Sequence, residues 1–291
     1  MMSKEVMHGK ICLVTGGTSG IGKETARQLA QQGAHVVIVG RSEEKAKKTV
    51  EWIKEQTRSE QIEFLIADLS SQREVRTLAK TFKRSFDRLD VLINNAGGIF
   101  SVRELTADGF ERTWALNHLA YFTLTIELLD ILKSSPPSRI INVSSGLHAK
   151  GKIDLDDLQF ENGYEMMAAY CRSKLANVLF TYALARRLDG TSVTSNCLHP
   201  GVIATRFGHN NKGPFKWMMI AVRPFLLSAA KGAATSVYLA TSPDINSVTG
   251  KFFVNCHAKD SSKQSYDLTL QDRLWEASME EIAVTSADLA T

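Results

Sequence analysis

The chain has few cysteines, and they are not arranged in any familiar bonding pattern. Its 291 residues include four of them, Cys12, Cys171, Cys197 and Cys256, which lie far apart and form no CxxC pair. This spacing excludes a scaffold stapled by disulfides and a zinc site built on cysteine pairs. We therefore expect a reducing, cytoplasmic location and no bound metal.

Long hydrophobic runs and an excess of one charge are missing as well. The first residues, MMSKEVMHGK, contain no apolar core of the secretory kind, and the apolar segment 217–227 is interrupted by Arg223 and Pro224. Lys+Arg 35 against Asp+Glu 31 gives a net charge of +4, which is too mild to indicate a nucleic-acid partner. We expect a soluble chain with no transmembrane span and no nucleic-acid partner; a peripheral membrane contact and a homo-oligomer stay open.

Short apolar runs alternate with helical segments along the chain. The runs lack polar alternation, which is typical of strands buried on both faces. We predict strands over 11–15, 35–39, 62–66, 91–94, 139–143, 193–198 and 251–254, and helices over 22–32, 43–56, 71–86, 107–132, 164–188 and 228–241. Ser71 and Asp108 suit helix-capping positions. The β-α-β order predicts an α/β fold with a three-layer doubly wound parallel sheet (Rossmann fold) of about seven strands, in a single domain.

A glycine-rich turn joins the first predicted strand to the first predicted helix. It reads Thr15-Gly16-Gly17-Thr18-Ser19-Gly20-Ile21-Gly22. At this place Gly16 permits a sharp turn, Gly20 a close approach to a pyrophosphate, and Gly22 tight packing of helix and strand. The helix N-terminus adds free N–H groups for the phosphates. The turn therefore predicts dinucleotide binding; the alternative is a turn that carries glycines for conformational reasons alone.

The end of the second predicted strand indicates which dinucleotide binds. It reads Val39-Gly40-Arg41-Ser42 and offers no carboxylate to a ribose 2′-OH, which NAD sites usually do. Arg41 can pair bidentately with a 2′-phosphate that an aspartate would repel. We predict NADP(H) in preference to NAD(H); the alternative is that Arg41 is a solvated loop residue.

A tyrosine and a lysine follow each other one turn apart on a predicted helix. In Tyr170-Cys171-Arg172-Ser173-Lys174, the spacing of four places Tyr170 and Lys174 on one face. A phenol is a poor base at neutral pH, and a neighbouring ammonium lowers its pKa, as acid/base work requires. Taken alone, such a pair also arises by accident on a half-exposed helix.

Several further motifs follow the strands in order, and together they resemble the short-chain dehydrogenase/reductase superfamily over about residues 10–254. They are Thr15-Gly16-x-x-x-Gly20-Ile21-Gly22, Asp68-Leu69, Asn94-Asn95-Ala96-Gly97, Asn117, Ser144-Ser145, Tyr170-x-x-x-Lys174, and Pro200-Gly201-Val202 with Thr205. The resemblance implies an enzyme that acts on CH–OH groups by hydride transfer with a nicotinamide cofactor.

The resemblance also implies a role for each matching residue. Tyr170 would be the general acid in carbonyl reduction or the base in alcohol oxidation, and Lys174 would bind the nicotinamide ribose and lower the Tyr170 pKa. Ser145, rather than Ser144, would hydrogen-bond the substrate oxygen, and Asn117 would hold a water in a proton relay. The implied cofactor residues are Gly16, Thr18, Ser19, Gly20, Ile21, Gly22, Arg41, Asp68, Leu69, Asn95, Ala96, Gly97, Tyr170, Lys174, Pro200, Gly201, Val202 and Thr205.

The 25 residues from Ser145 to Tyr170 and the stretch that contains them resemble the retinol dehydrogenase-like branch. This implies an NADP(H)-dependent enzyme acting on retinal, lipid-derived aldehydes or other apolar carbonyls. Residues 201–230 are the expected substrate lid; alternatively, their apolar side chains pack on the core or rest on a membrane surface. The alternative functions are a carbonyl or hydroxysteroid reductase of the same superfamily and a non-catalytic NADP(H)-binding protein.

Overall fold

The structure is a computed structural model that describes residues 6–201 and 228–287. Its sheet has eight strands in the order β3-β2-β1-β4-β5-β6-β7-β8. Strands β1 to β7 pair in parallel, and β8 pairs antiparallel with β7. The strands are β1 Ile11–Thr15, β2 His35–Gly40, β3 Ile62–Ile66, β4 Val91–Asn94, β5 Ser138–Val143, β6 Val193–His199, β7 Phe252–Val254 and β8 His257–Lys259.

Helices cover both faces of this sheet. They are α1 Gly20–Gln31, α2 Glu43–Thr57, α3 Gln72–Ser85, α4 Arg112–Trp114, α5 Ala120–Glu127, α6 Leu129–Lys133, α7 Met166–Arg187, α8 Ala229–Thr241 and α9 Leu268–Ala287, with a π-helical segment Ala115–Leu119 between α4 and α5. The predicted doubly wound α/β fold is confirmed. None of the helices in the described part of the chain is long and apolar enough to cross a membrane.

The apolar runs of the sequence form the middle layer because successive residues of a strand point to opposite faces. Leu13 and Val37 are fully buried against helices α3, α5, α7 and α9. Cys12 and Val36, one position earlier on the same strands, are fully buried against α1, α2 and α8. Full burial of one such apolar side chain contributes about 1.5–3 kcal/mol, so these strands require a helix layer on each side.

The predicted helix 107–132 differs from the observed one. Helix α4 begins at Arg112, where Glu111 accepts the N–H groups of Thr113 at 2.7 Å and of Trp114 at 2.8 Å. The carboxylate of Asp108 caps a different helix, since it accepts the N–H of Gln72 at 2.6 Å, in the first turn of α3. The Asp108 capping prediction was therefore wrong for its own helix.

Two elements near the end of the chain had no counterpart in the sequence prediction. Strand β8 follows β7 through a tight turn in which Asn255 has φ 51° and Cys256 has φ 63°. Helix α9 buries Gln271, Leu274 and Ser278 at spacings of three and four. Two of those three side chains are polar, so the apolar period that marks a helix is diluted there.

Candidate active site

A cavity of about 320 Å³ opens where the strand order reverses between β1 and β4. In open α/β sheets this crevice at the carboxyl ends of the strands is where ligands bind. Most of the predicted cofactor residues line it: Gly16, Thr18, Ser19, Gly20, Ile21, Gly22, Arg41, Leu69, Asn95, Ala96 and Gly97. Val39, Gly40, Ala67 and Leu116 complete the lining.

The glycine turn forms the floor of this cavity from bare backbone. Gly16 has φ 64°, and a Cβ there would lie 2.9 Å from the Cα of Ala96. A Cβ at Gly22 would lie 2.4 Å from the carbonyl oxygen of Gly16. The side chain of Ser19 makes no capping bond, so the first N–H groups of α1 stay available for an anion.

Hydrogen bonds from Thr15 join the turn to the loop after β4. Its Oγ1 accepts the N–H of Asn95 at 2.8 Å and that of Ala96 at 3.0 Å. The side-chain amide of Asn95 donates to the carbonyl of Thr15 at 2.7 Å. Thr15 thus fixes two walls of the cavity relative to each other. The sequence places Thr15 at the start of the glycine motif, but the motif alone does not indicate this role.

The outer end of the cavity carries Arg41. Its guanidinium is half-exposed and lies 3.8 Å from a carboxylate oxygen of Asp68. The other carboxylate oxygen of Asp68 accepts both the N–H and the hydroxyl of Ser70, at 3.0 and 2.8 Å. An exposed ion pair at this separation is weak, so the contact leaves Arg41 able to bind an anion.

The inner part of the site contains Tyr170 and Lys174, both buried on α7. Nζ of Lys174 lies 5.9 Å from the centroid of the Tyr170 ring and donates to the carbonyl of Val143 at 3.0 Å. The Tyr170 hydroxyl is hydrogen-bonded to the side chain of Ser145. Three residues that the sequence separates into two motifs therefore meet at the end of β5.

The two adjacent serines have different partners. The hydroxyl of Ser144 donates to the main-chain carbonyl of Lys174 at 2.7 Å and is buried. That of Ser145 faces Tyr170 and accepts the N–H of Leu147 at 3.2 Å. The carbonyl of Ser145 in turn accepts Nδ1–H of His148 at 2.7 Å. Of the two serines, Ser145 is thus the one beside Tyr170, and its role toward a substrate stays a prediction.

Burial changes the proton affinity of both α7 side chains. It raises the pKa of Tyr170 to about 12, while the hydrogen bond from Ser145 acts in the opposite direction. Desolvation lowers the pKa of Lys174 to about 7. The sequence led us to expect a lowered tyrosine pKa, but in this structure desolvation of the phenolate outweighs the other contributions.

Asn117 lies in the π-helical segment, a rare element that often marks functional sites. Its Oδ1 accepts the N–H of Gly98 at 2.8 Å, and its Nδ2 lies 2.9 Å from the Gly98 carbonyl and 3.0 Å from Ser173 Oγ. A Cβ at Gly97 would lie 3.2 Å from Asn117 Oδ1 and 3.4 Å from Lys174 Nζ. The residues predicted to be catalytic and the loop after β4 thus meet at Gly97, and the predicted relay water stays a prediction.

The remaining predicted positions follow β6. Pro200 and Gly201 are described, whereas Val202, Thr205 and nearly all of the predicted lid 201–230 lie outside the described residues. The ring of His199 packs against Gly146, where a Cβ would meet Nε2 at 3.3 Å. Within residues 6–201 and 228–287, no three potential ligand side chains cluster as a metal site would require.

A family model described as short chain dehydrogenase matches residues 10–214 of this chain. Retinol dehydrogenase 11 of Homo sapiens is 42% identical to it over 270 residues, which cover 93% of this chain and 85% of the relative. Retinol dehydrogenase 12 of Homo sapiens is 40% identical over 277 residues, with coverages of 95% and 87%.

Solved structures show the same similarity. An uncharacterized protein from Mycobacterium paratuberculosis has a TM-score of 0.77 at 30% identity, over 95% of this chain and 94% of that one. A short chain dehydrogenase from Escherichia coli CFT073, complexed with NADPH, has a TM-score of 0.68 at 26% identity, over 87% and 98%. Both matches extend over most of the chain.

Proposed function

This chain belongs to the short chain dehydrogenase family, among its retinol dehydrogenase-like members, and we propose that it interconverts an apolar aldehyde or ketone and its alcohol with NADP(H). The observation that carries this proposal is the contact between the Tyr170 hydroxyl and Ser145, beside Lys174, at the sheet edge that holds the glycine turn. An acid, a hydrogen-bond donor and a dinucleotide cradle are the parts that carbonyl reduction needs.

The cavity fits a dinucleotide because its floor has no room for side chains where a pyrophosphate would approach. Residues of the glycine turn and the loop from Asn95 to Gly97 would hold the cofactor. Leu69, in the cavity wall, and Asp68, beside Arg41, would lie at the adenine. Tyr170, Lys174 and the segment 200–205 would face the nicotinamide half. When bound, the cofactor supplies the hydride.

The side chains of the inner site would stabilise the charge that develops on the substrate oxygen. As the carbonyl carbon gains hydride, its oxygen becomes negative, and the hydroxyls of Ser145 and Tyr170 are donors already in place. Because its pKa is raised to about 12, Tyr170 keeps its proton at neutral pH and can deliver it to the oxygen.

We assign NADP(H) rather than NAD(H) from the outer end of the cavity. Arg41 lines it, and no carboxylate stands at the end of β2. The NADPH complex of the Escherichia coli relative supports this choice. Replacing Arg41 by Ala should raise the KM for NADPH far more than that for NADH; equal changes would show that Arg41 does not recognise the 2′-phosphate.

The substrate proposal is an apolar carbonyl, in line with the names of the relatives. The alternatives are a carbonyl or hydroxysteroid reductase and a non-catalytic NADP(H)-binding protein. A screen at the 340 nm band of reduced nicotinamide, with NADPH and retinal, apolar aldehydes or ketosteroids, separates the three. Oxidation of NADPH with one class only identifies the substrate, and none with any class favours the non-catalytic protein.

The matched variant for this screen is Tyr170→Phe. It keeps the ring and removes only the proton donor, so NADPH binding should persist while turnover falls by about 10²–10⁴-fold. Turnover above about a tenth of the wild-type value would show that Tyr170 is not the acid.

We further propose that residues 1–291 form one NADP(H)-binding domain, with 201–230 as the substrate lid and a cytoplasmic location. The four cysteines are unpaired, which supports a reducing compartment. Cell fractionation tests the location, and recovery in a membrane pellet would contradict it.

A further inference from the structure

A series of buried polar side chains connects helix α9 to the segment that carries Asn117. Oγ of Ser278, on α9, lies 2.9 Å from Nε2 of His118. Nδ1 of the same ring lies 3.3 Å from Oδ1 of Asn177 on α7. Nδ2 of Asn177 donates to the main-chain carbonyl of Asn117 at 2.8 Å. All four side chains are fully buried.

The partners assign the direction of each hydrogen bond. Because Nδ2 of Asn177 is bonded to Asn117, its amide oxygen faces the ring and can only accept, so the proton is on Nδ1 of His118. Nε2 is then the acceptor for the hydroxyl of Ser278. Desolvation lowers the pKa of His118 to about 4, which keeps the ring neutral at neutral pH. Each donation therefore runs from Ser278 toward Asn117.

The hydrogen bonds that begin at Ser278 end in the π-helical segment, at the carbonyl of Asn117. The N–H of Ala120 closes a bond to the carbonyl of Ala115, five residues earlier, so the bonding register around Asn117 departs from that of an α-helix. The main-chain carbonyl of Asn117 accepts the hydrogen bond from Nδ2 of Asn177. The side chain of Asn117 is hydrogen-bonded to Gly98 and to Ser173. Ser173 in turn donates to the carbonyl of Tyr170 at 2.8 Å.

Contacts on both sides of Ser278 hold helix α9 in place, so α9 can fix the position of the side chains bonded to Ser278. Toward its start, Trp275 packs edge-on against Phe122 with ring centroids 5.0 Å apart. Toward its end, Glu281 accepts the indole N–H of Trp114 at 2.9 Å, and the Ile282 carbonyl accepts the guanidinium of Arg76 at 2.5 Å.

We propose that Ser278, His118 and Asn177 are positioning residues through which α9 holds Asn117, and with it Gly98 and the Tyr170 turn, in the geometry that the reaction requires. This inference rests on the proposed function. Without the Ser278 hydroxyl, Nε2 loses its donor, while Asn177 still keeps the proton on Nδ1. The ring is then no longer fixed from the α9 side and can shift together with Asn177, which loosens the hold on the Asn117 carbonyl.

The test compares Ser278→Ala with Ser236→Ala, a matched control. Ser236 is also fully buried, on α8, but its hydroxyl has no hydrogen-bond partner among residues 6–201 and 228–287. Nitrogen NMR of the His118 ring reports the tautomer, NADPH titration reports cofactor binding, and steady-state kinetics reports kcat. Ser278→Cys is a second variant, since it keeps the packing and offers only a weak donor.

For Ser278→Ala we expect the Nε2 resonance of His118 to move because its hydrogen bond is lost, with the proton still on Nδ1, and kcat to fall about tenfold. The Kd for NADPH should stay within about twofold, because bonds from Thr15 hold the glycine turn separately. Ser278→Cys should fall between Ala and wild type, and it decides the matter if Ser278→Ala does not fold. Ser236→Ala should change neither readout.

A merely structural role would lower Tm and leave kcat per folded molecule unchanged. That result, or a changed Nε2 resonance of His118 with wild-type kcat, would overturn the positioning role. Failure of the proposed function looks different: the wild-type chain would then oxidise no NADPH with any carbonyl, although NADPH titration and the His118 spectrum could still be measured.

Discussion

The outer and inner ends of the cavity lie on one edge of one sheet, but they are built in different ways. At the outer end, backbone from the glycine turn and the loop after β4 forms the surface, and the positions where a Cβ would collide define it. At the inner end, buried side chains form the surface, and burial changes their proton affinities. The surface of the outer end is therefore determined by the shape of the backbone. The properties of the inner end are determined by hydrogen bonds and desolvation of its side chains.

From this difference we predict that substitutions of glycine at the outer end weaken cofactor binding through clashes with the backbone. Gly22→Ala places a Cβ 2.4 Å from the carbonyl oxygen of Gly16, so one of the two must shift. We expect NADPH affinity to fall by about 100-fold or more, because the pyrophosphate surface is the part displaced. Isothermal titration with NADPH measures the loss.

Gly163→Ala is the control for that variant. Gly163 has φ 80°, and a Cβ added there would meet no atom of the described part of the chain within 4 Å, so the substitution strains the backbone without a clash. It should reduce stability and leave NADPH affinity unchanged. Equal loss of affinity in the two variants would mean that general destabilisation, not the shape of the turn, explains the result.

At the inner end, we predict that one of the two adjacent serines contributes to turnover and the other to stability. Ser145→Ala removes a donor to the developing oxyanion, so kcat should fall by about 10²–10³-fold. Ser144→Ala removes the bond to the Lys174 carbonyl and should cost about 1 kcal/mol of unfolding free energy, with kcat near wild type. Kinetics and chemical denaturation of both variants check this. If Ser144→Ala has the larger effect on kcat, the two serines have been assigned the wrong way round.

The outer end was predictable from sequence because its chemistry follows from short local spacing. The glycine turn, Arg41 and the loop Asn95–Gly97 each lie directly after a strand, and parallel strands bring their carboxyl ends together. For the inner end, the sequence predicted which residues belong to the site but not their contacts or proton affinities. The contacts of Ser144 and Ser145 depend on how α7 packs across β5, and the pKa of Tyr170 depends on burial, which no short motif specifies.

The residues that the sequence did not reveal lie in buried polar contacts between distant segments. Ser278 and His118 are 160 positions apart in the sequence, so no local motif contains both. A serine in a weakly apolar stretch gives no sign that it is buried. Helix α9 was missed for the same reason, since Gln271 and Ser278 occupy its inner face.

Burial of Lys174, at the inner end, predicts a pH-dependent stability. Its pKa falls from 10.5 to about 7 on folding, so between these values the unfolded chain binds more protons than the folded one. The free energy of unfolding should therefore rise with pH from about 7 to about 10, by at most about 1.4 kcal/mol per pH unit from this group. Below about pH 7 the contribution stays at its minimum.

Lys174→Met removes that dependence, because a thioether does not titrate. Urea denaturation at several pH values should give a flatter profile for Lys174→Met than for the wild type. Lys259→Met, at an exposed lysine on β8, is the control and should retain the wild-type slope. Parallel profiles for all three proteins would show that Lys174 does not enter the folded core uncharged.

The smallest expected effect concerns Asp108, which lies outside both ends and was assigned to the wrong helix. Its carboxylate accepts the Gln72 N–H at 2.6 Å, so Asp108→Ala should destabilise the start of α3. We expect a loss of about 1 kcal/mol in the free energy of unfolding, typical of a helix cap, with kcat and NADPH affinity unchanged. Because Ser71 also caps α3 through the Glu74 N–H, Ser71→Ala and the double variant should reveal their coupling. Losses that add fully would mean that the two caps act independently, whereas a double-variant loss no larger than either single loss would mean that they stabilise one cooperative turn.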